Sequence, residues 1–164
     1  MRIAVVDSSS LISLTHLGLS AELSLFFDVV FVPRAVQQEV NKIGRFRYRL
    51  KKLYRTRIFA RCTAADKTNV SLLSAELDKG EAEALIQAEE KAAMFFIGDE
   101  KRAREIGEKK GFKSVGTVRL LARLHLEGRA DEPRALVHKL RHDLRFRVSE
   151  RVVEEAIAMA PEPI

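Results

Sequence analysis

The fold of this chain is decided by the stretch IAVVDSSSLISL, residues 3–14. The apolar run Ile3–Val6 ends at Asp7, the polar run Ser8–Ser10 follows, and apolar residues with helical spacing begin at Leu11. This pattern predicts a buried strand, a helix N-terminus capped by the serines, and then a helix. Ligands of parallel α/β sheets bind beyond the carboxyl ends of the strands, so Asp7 is the first candidate site residue.

The composition indicates one globular domain over residues 1–164, because 46% of the residues are hydrophobic and 32% are charged. No apolar run approaches the roughly 20 residues that span a bilayer, so no membrane location is expected. Asp7 interrupts the N-terminal apolar segment, which is unlike a signal peptide, and the single cysteine, Cys62, excludes an intramolecular disulfide. These features predict a cytoplasmic protein. The net charge of +6 favours an anionic partner.

Strand and helix patterns alternate along the chain. Apolar strands are predicted at residues 3–6, 28–32 and 94–97, a weak strand or a loop at 62–70, and a short strand at 114–115. Helices are predicted over the following segments: 11–25, from 34 onward, 42–61, 71–77, 81–91, 101–110, 117–126, from 133 onward and 149–159. Alternation of this kind predicts a three-layer α/β/α fold with a central parallel sheet of about four to five strands.

Two aspartates occupy equivalent places in this pattern. Asp7 follows the first strand and Asp99 follows the strand at residues 94–97, and each precedes a helix. Because parallel strands end at the same edge of a sheet, both carboxylates are expected to face one crevice. The alternative for each is a purely structural role as a helix N-cap.

Glu39 is a third candidate because it shares the apolar face of its predicted helix. It lies three residues after Val36 and four before Ile43. A carboxylate on that face loses hydration, which is costly without a partner. We therefore expect an arginine or a bound cation beside it.

Glu81 and Glu83 lie in the segment GEAEALI, residues 80–86. Asp78 and Glu81 have the spacing of a capping box, so a structural role competes with a functional one. Glu100 is either a further ligand or a solvated residue, since it follows Asp99 at the start of a helix.

An acidic cluster of this kind is suited to a divalent cation. Carboxylate oxygens are preferred ligands of Mg²⁺ and Mn²⁺. Two carboxylates about 5 Å apart repel by about 3 kcal/mol at an effective dielectric of about 20, so several together need a cation or protons. The four histidines are scattered, which argues against zinc.

The ordered motifs of the chain resemble the PIN-domain nucleases, and within them the VapC-like toxin group. The matching pieces are IAVVDSSSLISL at 3–14, VPRAVQQEV at 32–40, LDKGEAEALIQAEE at 77–90, FFIGDEKRAREIGEKKG at 95–111 and VGTVRLLARL at 115–124. The resemblance implies a metal-dependent ribonuclease that is often a homodimer, with a small antitoxin protein as partner. It implies that the acids binding Mg²⁺ or Mn²⁺ and cutting RNA are Asp7, Glu39, Glu81 and Asp99. Glu83 is the alternative to Glu81 as a ligand, and Glu100 is a further candidate.

Residues 42–61 carry nine basic side chains and no acid, with aromatic residues between them. A face of this kind can follow a phosphate backbone while the aromatics stack on bases. The RNA-binding candidates are Arg45, Arg47, Arg49, Lys51, Lys52 and Arg55. The alternative is a solvated helix that packs on the core through Phe46, Leu50 and Leu53.

The sequence therefore predicts a Mg²⁺- or Mn²⁺-dependent endoribonuclease. One alternative is an RNA-binding or assembly module with a degenerate site. The other is a haloacid-dehalogenase-like phosphatase with Asp7 as the nucleophile. Such sites need a second aspartate two residues later, and Ser9 at that position argues against it.

Overall fold

The computed structural model describes residues 1–164, which form two compact units, residues 1–115 and 116–164. The first unit contains the whole sheet. Its strands are β1 Ile3–Val6, β2 Val29–Pro33, β3 Phe59–Cys62, β4 Phe95–Ile97 and β5 Lys113–Val115. Its helices are α1 Ser8–Leu17, α2 Arg34–Lys42, α3 Gly44–Leu53, α4 Lys67–Leu73, α5 Lys79–Glu90 and α6 Lys101–Lys109, with a short 3-10 helix at Ser20–Leu25. The single domain expected over residues 1–164 stays a prediction.

The sheet has five parallel strands in the order β3-β2-β1-β4-β5. The chain therefore builds outward from β1 to β2 and β3, and then returns to the other side of β1 to add β4 and β5. The strand order reverses between β1 and β4, where Val6 pairs with Ile97. A crevice at such a reversal is the usual ligand site of a parallel sheet.

Both faces of the central strand are covered by protein. Ala4, Val5 and Val6 are all completely buried, although alternate residues of a strand point to opposite faces. On one face Val5 and Phe96 pack in a cluster with Leu85 of α5. Burial on both faces is typical of parallel sheets between two helical layers. The predicted three-layer α/β/α fold is therefore confirmed.

The helix predicted over residues 42–61 is wrong in its second half. Helix α3 ends at Leu53, and residues 59–62 form the edge strand β3, which pairs with β2 from Val30–Phe59 to Pro33–Cys62. Phe59 and Cys62 are buried. Pairing with a neighbouring strand satisfies the backbone of this short segment, and the local apolar spacing does not reveal that partner.

The helix predicted over residues 11–25 is divided in two. Helix α1 starts earlier, at Ser8, and its last residue is Leu17. Gly18 has φ +75°, a left-handed conformation that closes the helix and that glycine adopts without strain. A separate 3-10 helix then covers Ser20–Leu25.

The second unit consists of three helices, α7 Thr117–Leu126, α8 Pro133–Leu144 and α9 Glu150–Ala158. Its small core contains Val118, Val137, Val153 and Ala156, with one or two residues from each helix. No helix of the chain combines the length and the apolar character needed to cross a membrane.

Candidate active site

Asp7 joins the two strands that border the crevice. Its N–H donates to the carbonyl of Ile97 over 2.9 Å, which fastens the end of β1 to the end of β4. Its Oδ1 accepts from the N–H of Ser10 over 2.8 Å, so Asp7 is the N-cap of α1. The expectation that the serines cap this helix is therefore wrong. Asp7 is still extended and Ser8 is already helical, which places the aspartate in the capping position.

The structure brings Asp99 to Asp7. The N–H of Asp99 donates to Asp7 Oδ2 over 3.3 Å, and Ser10 Oγ donates to Asp99 Oδ2 over 3.3 Å. Asp99 is not the N-cap of α6, because Glu100 holds that position and accepts from the N–H of Ala103 over 2.7 Å. The structural role as a helix N-cap therefore applies to Asp7 and to Glu100. Asp99 lies at the crevice and caps no helix.

Gly98 makes the close approach of Asp7 and β4 possible. A Cβ at this position would lie 2.5 Å from the Phe96 ring and 2.9 Å from Asp7 Oδ2. Atoms of folded proteins do not approach so closely, and Phe96 is completely buried. Any larger residue at position 98 therefore displaces either the ring or the carboxylate.

Glu39 reaches the same region from α2. Ser8 Oγ donates a short hydrogen bond to Glu39 Oε2, and no basic side chain forms an ion pair with Glu39. The arginine that the sequence suggested as a partner is therefore absent. Gly80 lets α5 approach, since a Cβ there would lie 3.2 Å from Glu39 Oε1. Ser8 thus connects the start of α1 to the acid on α2.

Glu81 lies at the start of α5 and is only 8% exposed. The predicted capping box is confirmed: Glu81 N–H donates to Asp78 Oδ1 over 2.9 Å, and Asp78 N–H donates to Glu81 Oε2 over 3.2 Å. The pKa of Glu81 is raised to about 7, mainly by burial and then by repulsion from Asp78, with smaller contributions from Glu100 and Glu39. Glu81 therefore lies within electrostatic reach of Glu39 and Glu100 while it caps its own helix.

Glu83 has a different partner from the other acids. Its Oε2 accepts from the N–H of Ala35 over 2.9 Å, in the first turn of α2. Pro33, the N-cap residue of α2, offers no side-chain acceptor. Glu83 therefore supplies from α5 the anion that the start of α2 lacks, and its bonding joins two helices instead of facing Asp7.

Removal of this contact is expected to destabilise the protein. We expect Glu83→Ala to lower the free energy of unfolding by about 1–2 kcal/mol, because a buried helix N–H loses its acceptor. Urea unfolding of the metal-free protein measures the change. Glu83→Gln is the matched control, since an amide oxygen still accepts from Ala35, and it should lose less than half as much. Equal losses in the two variants would show that the charge alone matters.

Carboxylates crowd around Asp7. Burial is the main cause that raises the pKa of Asp7 to about 7, and the charge of Asp99 is the next. The hydrogen bond from the Ser10 N–H opposes this shift, and Glu81 adds a smaller increase. Asp7 is 2% exposed. Asp7 is therefore repelled at the end of the sheet by Asp99 and Glu81, which come from two other segments.

This donor set fits a divalent cation in its chemistry. Every candidate ligand is a carboxylate oxygen, and hydroxyls of Ser8 and Ser10 hold Glu39 and Asp99. In the present side-chain arrangement, however, no three acids, histidines or cysteines converge on one ion. Glu39 and Glu81 would have to turn from Ser8 and from the Asp78 N–H to complete a ligand set.

The basic helix α3 places its side chains as the sequence suggested, with one exception. Phe46, Leu50 and Leu53 are buried, whereas Tyr48 is 65% exposed with Lys52 Nζ 4.8 Å from its ring centroid. The exception is Arg49. Its Nη1 donates to the carbonyl of Thr15 over 3.0 Å and also to His16 at the C-terminus of α1, so it serves the fold. The other RNA-binding candidates, Arg45, Arg47, Lys51, Lys52 and Arg55, are exposed.

Comparison with known families covers nearly the whole chain. Residues 3–162 match the family described as "DUF3368: PIN domain". No curated protein shows a significant match.

Proposed function

Because the chain belongs to the PIN-domain family, whose members are generally nucleases, we propose that it is a Mg²⁺- or Mn²⁺-dependent endoribonuclease. The observation that carries this proposal is the pairing of Asp7 with Asp99 at the reversal of the strand order. Glu39 and Glu81 approach the same point from α2 and α5. The proposed metal ligands are therefore Asp7, Glu39, Glu81 and Asp99, while Glu83 and Glu100 support the helices that start beside them.

The protein's own residues would position the reaction. A bound divalent cation polarises a phosphodiester and lowers the pKa of water, which is the chemistry that acids of this kind recruit. Asp7 is held by the Ser10 N–H, and Asp99 by the Ser10 hydroxyl, so both aspartates have a fixed orientation. Ser8 holds Glu39 beside the start of α1, and from there the carboxylate would turn to reach a cation. Hydroxyl donors leave the negative charge of the cluster intact, whereas arginine partners would neutralise it.

The decisive experiment compares RNA cleavage and stability with and without metal. We expect purified protein to cut total RNA with Mn²⁺ and not with a chelator. At a metal concentration of 100 times Kd, mass action contributes about 2.7 kcal/mol, which raises Tm by about 5–10 °C. Ca²⁺ serves as a larger-ion control. RNA binding without cleavage and without a thermal shift would favour the degenerate binding module.

The exposed face of α3 is proposed to bind the RNA strand. Arg47 and Lys51 are four residues apart, exposed, and outside every ion pair of the structure. We expect Arg47→Gln combined with Lys51→Gln to weaken RNA binding and to reduce the slope of log K against log salt by about 1.4, that is about 0.7 per lost phosphate contact. Fluorescence anisotropy in chelator measures both quantities. Lys109→Gln with Lys139→Gln removes the same charge from exposed positions elsewhere, and an equal effect there would reduce the role of α3 to net charge.

The finer family assignments stay proposals. The resemblance to VapC-like toxins suggests a toxin role, a small antitoxin partner, a homodimer and a cytoplasmic location.

A further inference from the structure

A second polar pocket lies on the same edge of the sheet as the candidate active site. It has a volume of about 560 Å³ and is bordered by the start of α2, the segment after β3, the helix α4 and the start of α5. Strand β2 leads directly into α2, and Thr63 and Ala64 directly follow β3. Parallel strands end at one edge, so this pocket opens beyond β2 and β3, beside the crevice of β1 and β4.

The charges around this pocket are uneven. Arg34, Lys67 and Lys79 line it from three different helices, and the side chain of none of the three forms an ion pair or a hydrogen bond in the structure. The only acid among the lining residues is Glu83, and its Oε2 already accepts from the Ala35 N–H. Thr63, Ser71 and Ser74 add hydroxyls and Gln38 adds an amide. Cations without partners, surrounded by neutral donors, are suited to an anion with several oxygens.

Helices α2 and α5 carry residues of both the pocket and the acidic cluster. Gln38 precedes Glu39 on α2, and Lys79 is separated from Glu81 on α5 only by Gly80. Gly80 itself brings the two helices together, with its Cβ position 3.2 Å from Glu39 Oε1. The pocket and the acids are therefore built on the same two helices, α2 and α5. An RNA strand carries a phosphate at every nucleotide, so a strand cut at the crevice can place a neighbouring phosphate there.

We propose that the pocket of Arg34, Lys67 and Lys79 binds a backbone phosphate of the RNA strand, adjacent to the phosphodiester that is cut. This proposal rests on the proposed nuclease function, because that function supplies the strand. The pocket gives the enzyme an anchor distinct from α3. It fixes the register of the strand at the cut, whereas an exposed basic helix attracts a strand without fixing it.

The test is made on RNA binding so that it is independent of cleavage. Single-stranded RNA is titrated in chelator against protein carrying Asp7→Asn, with and without Arg34→Gln and Lys67→Gln. We expect the pocket substitutions to weaken binding by about tenfold or more and to reduce the salt slope by about 1.4. The control pair Lys109→Gln and Lys139→Gln removes equal charge and should change affinity by less than about twofold. Unchanged Tm values establish that the variants are folded.

A neutral linkage identifies the phosphate. A series of oligonucleotides is made, each with one methylphosphonate linkage at a different position. At one of these positions, the protein with the native pocket should lose about tenfold in affinity. The pocket variant should lose nothing further at that position, because the two changes remove the same contact. Equal losses with and without the pocket substitutions would overturn the proposal.

Other occupants give different results. If the pocket binds only free inorganic phosphate, phosphate raises the Tm of the protein with the native pocket, and the pocket variant binds RNA like the control. This result also overturns the proposal. An acidic protein segment as the occupant would overturn it too, since the pocket substitutions would then leave RNA binding unchanged. A failure of metal-dependent cleavage with a positive binding result would overturn the nuclease function and leave the RNA pocket standing.

Discussion

Asp7→Asn is expected to reduce RNA cleavage by at least about 100-fold, since loss of even an outer-shell partner of a metal ligand costs about 10–100-fold. The fold should survive. Asparagine is as good an N-cap as aspartate, and its side-chain oxygen can accept from the Ser10 N–H in the same geometry. The measurement is the single-turnover cleavage rate at saturating Mn²⁺, with circular dichroism as the check on folding. Cleavage at the wild-type rate would remove Asp7 from the site.

The same substitution is expected to stabilise the metal-free protein at alkaline pH. The pKa of Asp7 is raised from 3.8 to about 7 in the folded protein, mainly by burial and then by Asp99. The folded state therefore holds the proton more tightly than the unfolded chain. The stability that this provides is complete below pH about 4 and is lost as the pH rises through about 7. Asparagine cannot ionise, so in chelator the variant should have the higher Tm at pH 8, with the difference shrinking toward pH 5.

This opposite response of activity and stability separates two explanations. A residue that is only structural should lower Tm and activity together when it is replaced. Replacement of a buried acid that binds a cation should instead lower activity and raise the stability of the metal-free protein. A lower Tm for Asp7→Asn at pH 8 in chelator would place the residue in the first group. Ser10→Ala serves as a comparison, because it removes the hydroxyl contact to Asp99 and keeps every charge.

Gly98→Ala is expected to have the second large effect. The added methyl would lie 2.5 Å from the Phe96 ring and 2.9 Å from Asp7 Oδ2, and neither group has free space. Overpacking of this kind costs about 1–3 kcal/mol. A displacement of Asp7 by about 1 Å can reduce the cleavage rate by about 100-fold. Urea unfolding and single-turnover cleavage measure the two effects.

Gly44→Ala is the matched control for this substitution. Gly44 begins α3, and a Cβ there meets nothing within 4 Å. We expect its stability and cleavage rate to stay close to those of the wild type, because alanine is preferred over glycine in a helix. A tolerated Gly98→Ala would mean that the ring of Phe96 can move, and that Asp7 is not held as closely as its contacts indicate.

The part of the site that follows from strand order could be predicted from the sequence. Asp7 and Asp99 each end an apolar strand, and the rule that parallel strands end together places them side by side without any knowledge of side chains. The capping box of Asp78 and Glu81 was equally accessible, since it depends only on a spacing of three residues. Local patterns decide such features.

Features that depend on contacts between distant segments could not be predicted. Nothing near Glu39 in the sequence indicates that its partner is Ser8, 31 residues earlier. The approach of α5 to Glu39 at Gly80 carries no signal beyond a glycine that also suits a helix start. The local pattern does not predict strand β3, because its four residues follow the apolar spacing of the preceding helix and only pairing with β2 makes them a strand.

The hydrogen bond from Ala35 to Glu83 has a consequence for how the acids are brought together. It fastens α5 to the first turn of α2, and these helices carry Glu81 and Glu39. The spacing between the backbones of Glu81 and Glu39, whose carboxylates repel each other, is thus fixed during folding. It is fixed when the apolar face of α5 is buried against the sheet. The ordering entropy of the ligands is lost during folding and not during ion capture. A preorganised site of this kind needs only side-chain rotations to accept a cation, so capture can be fast and reversible.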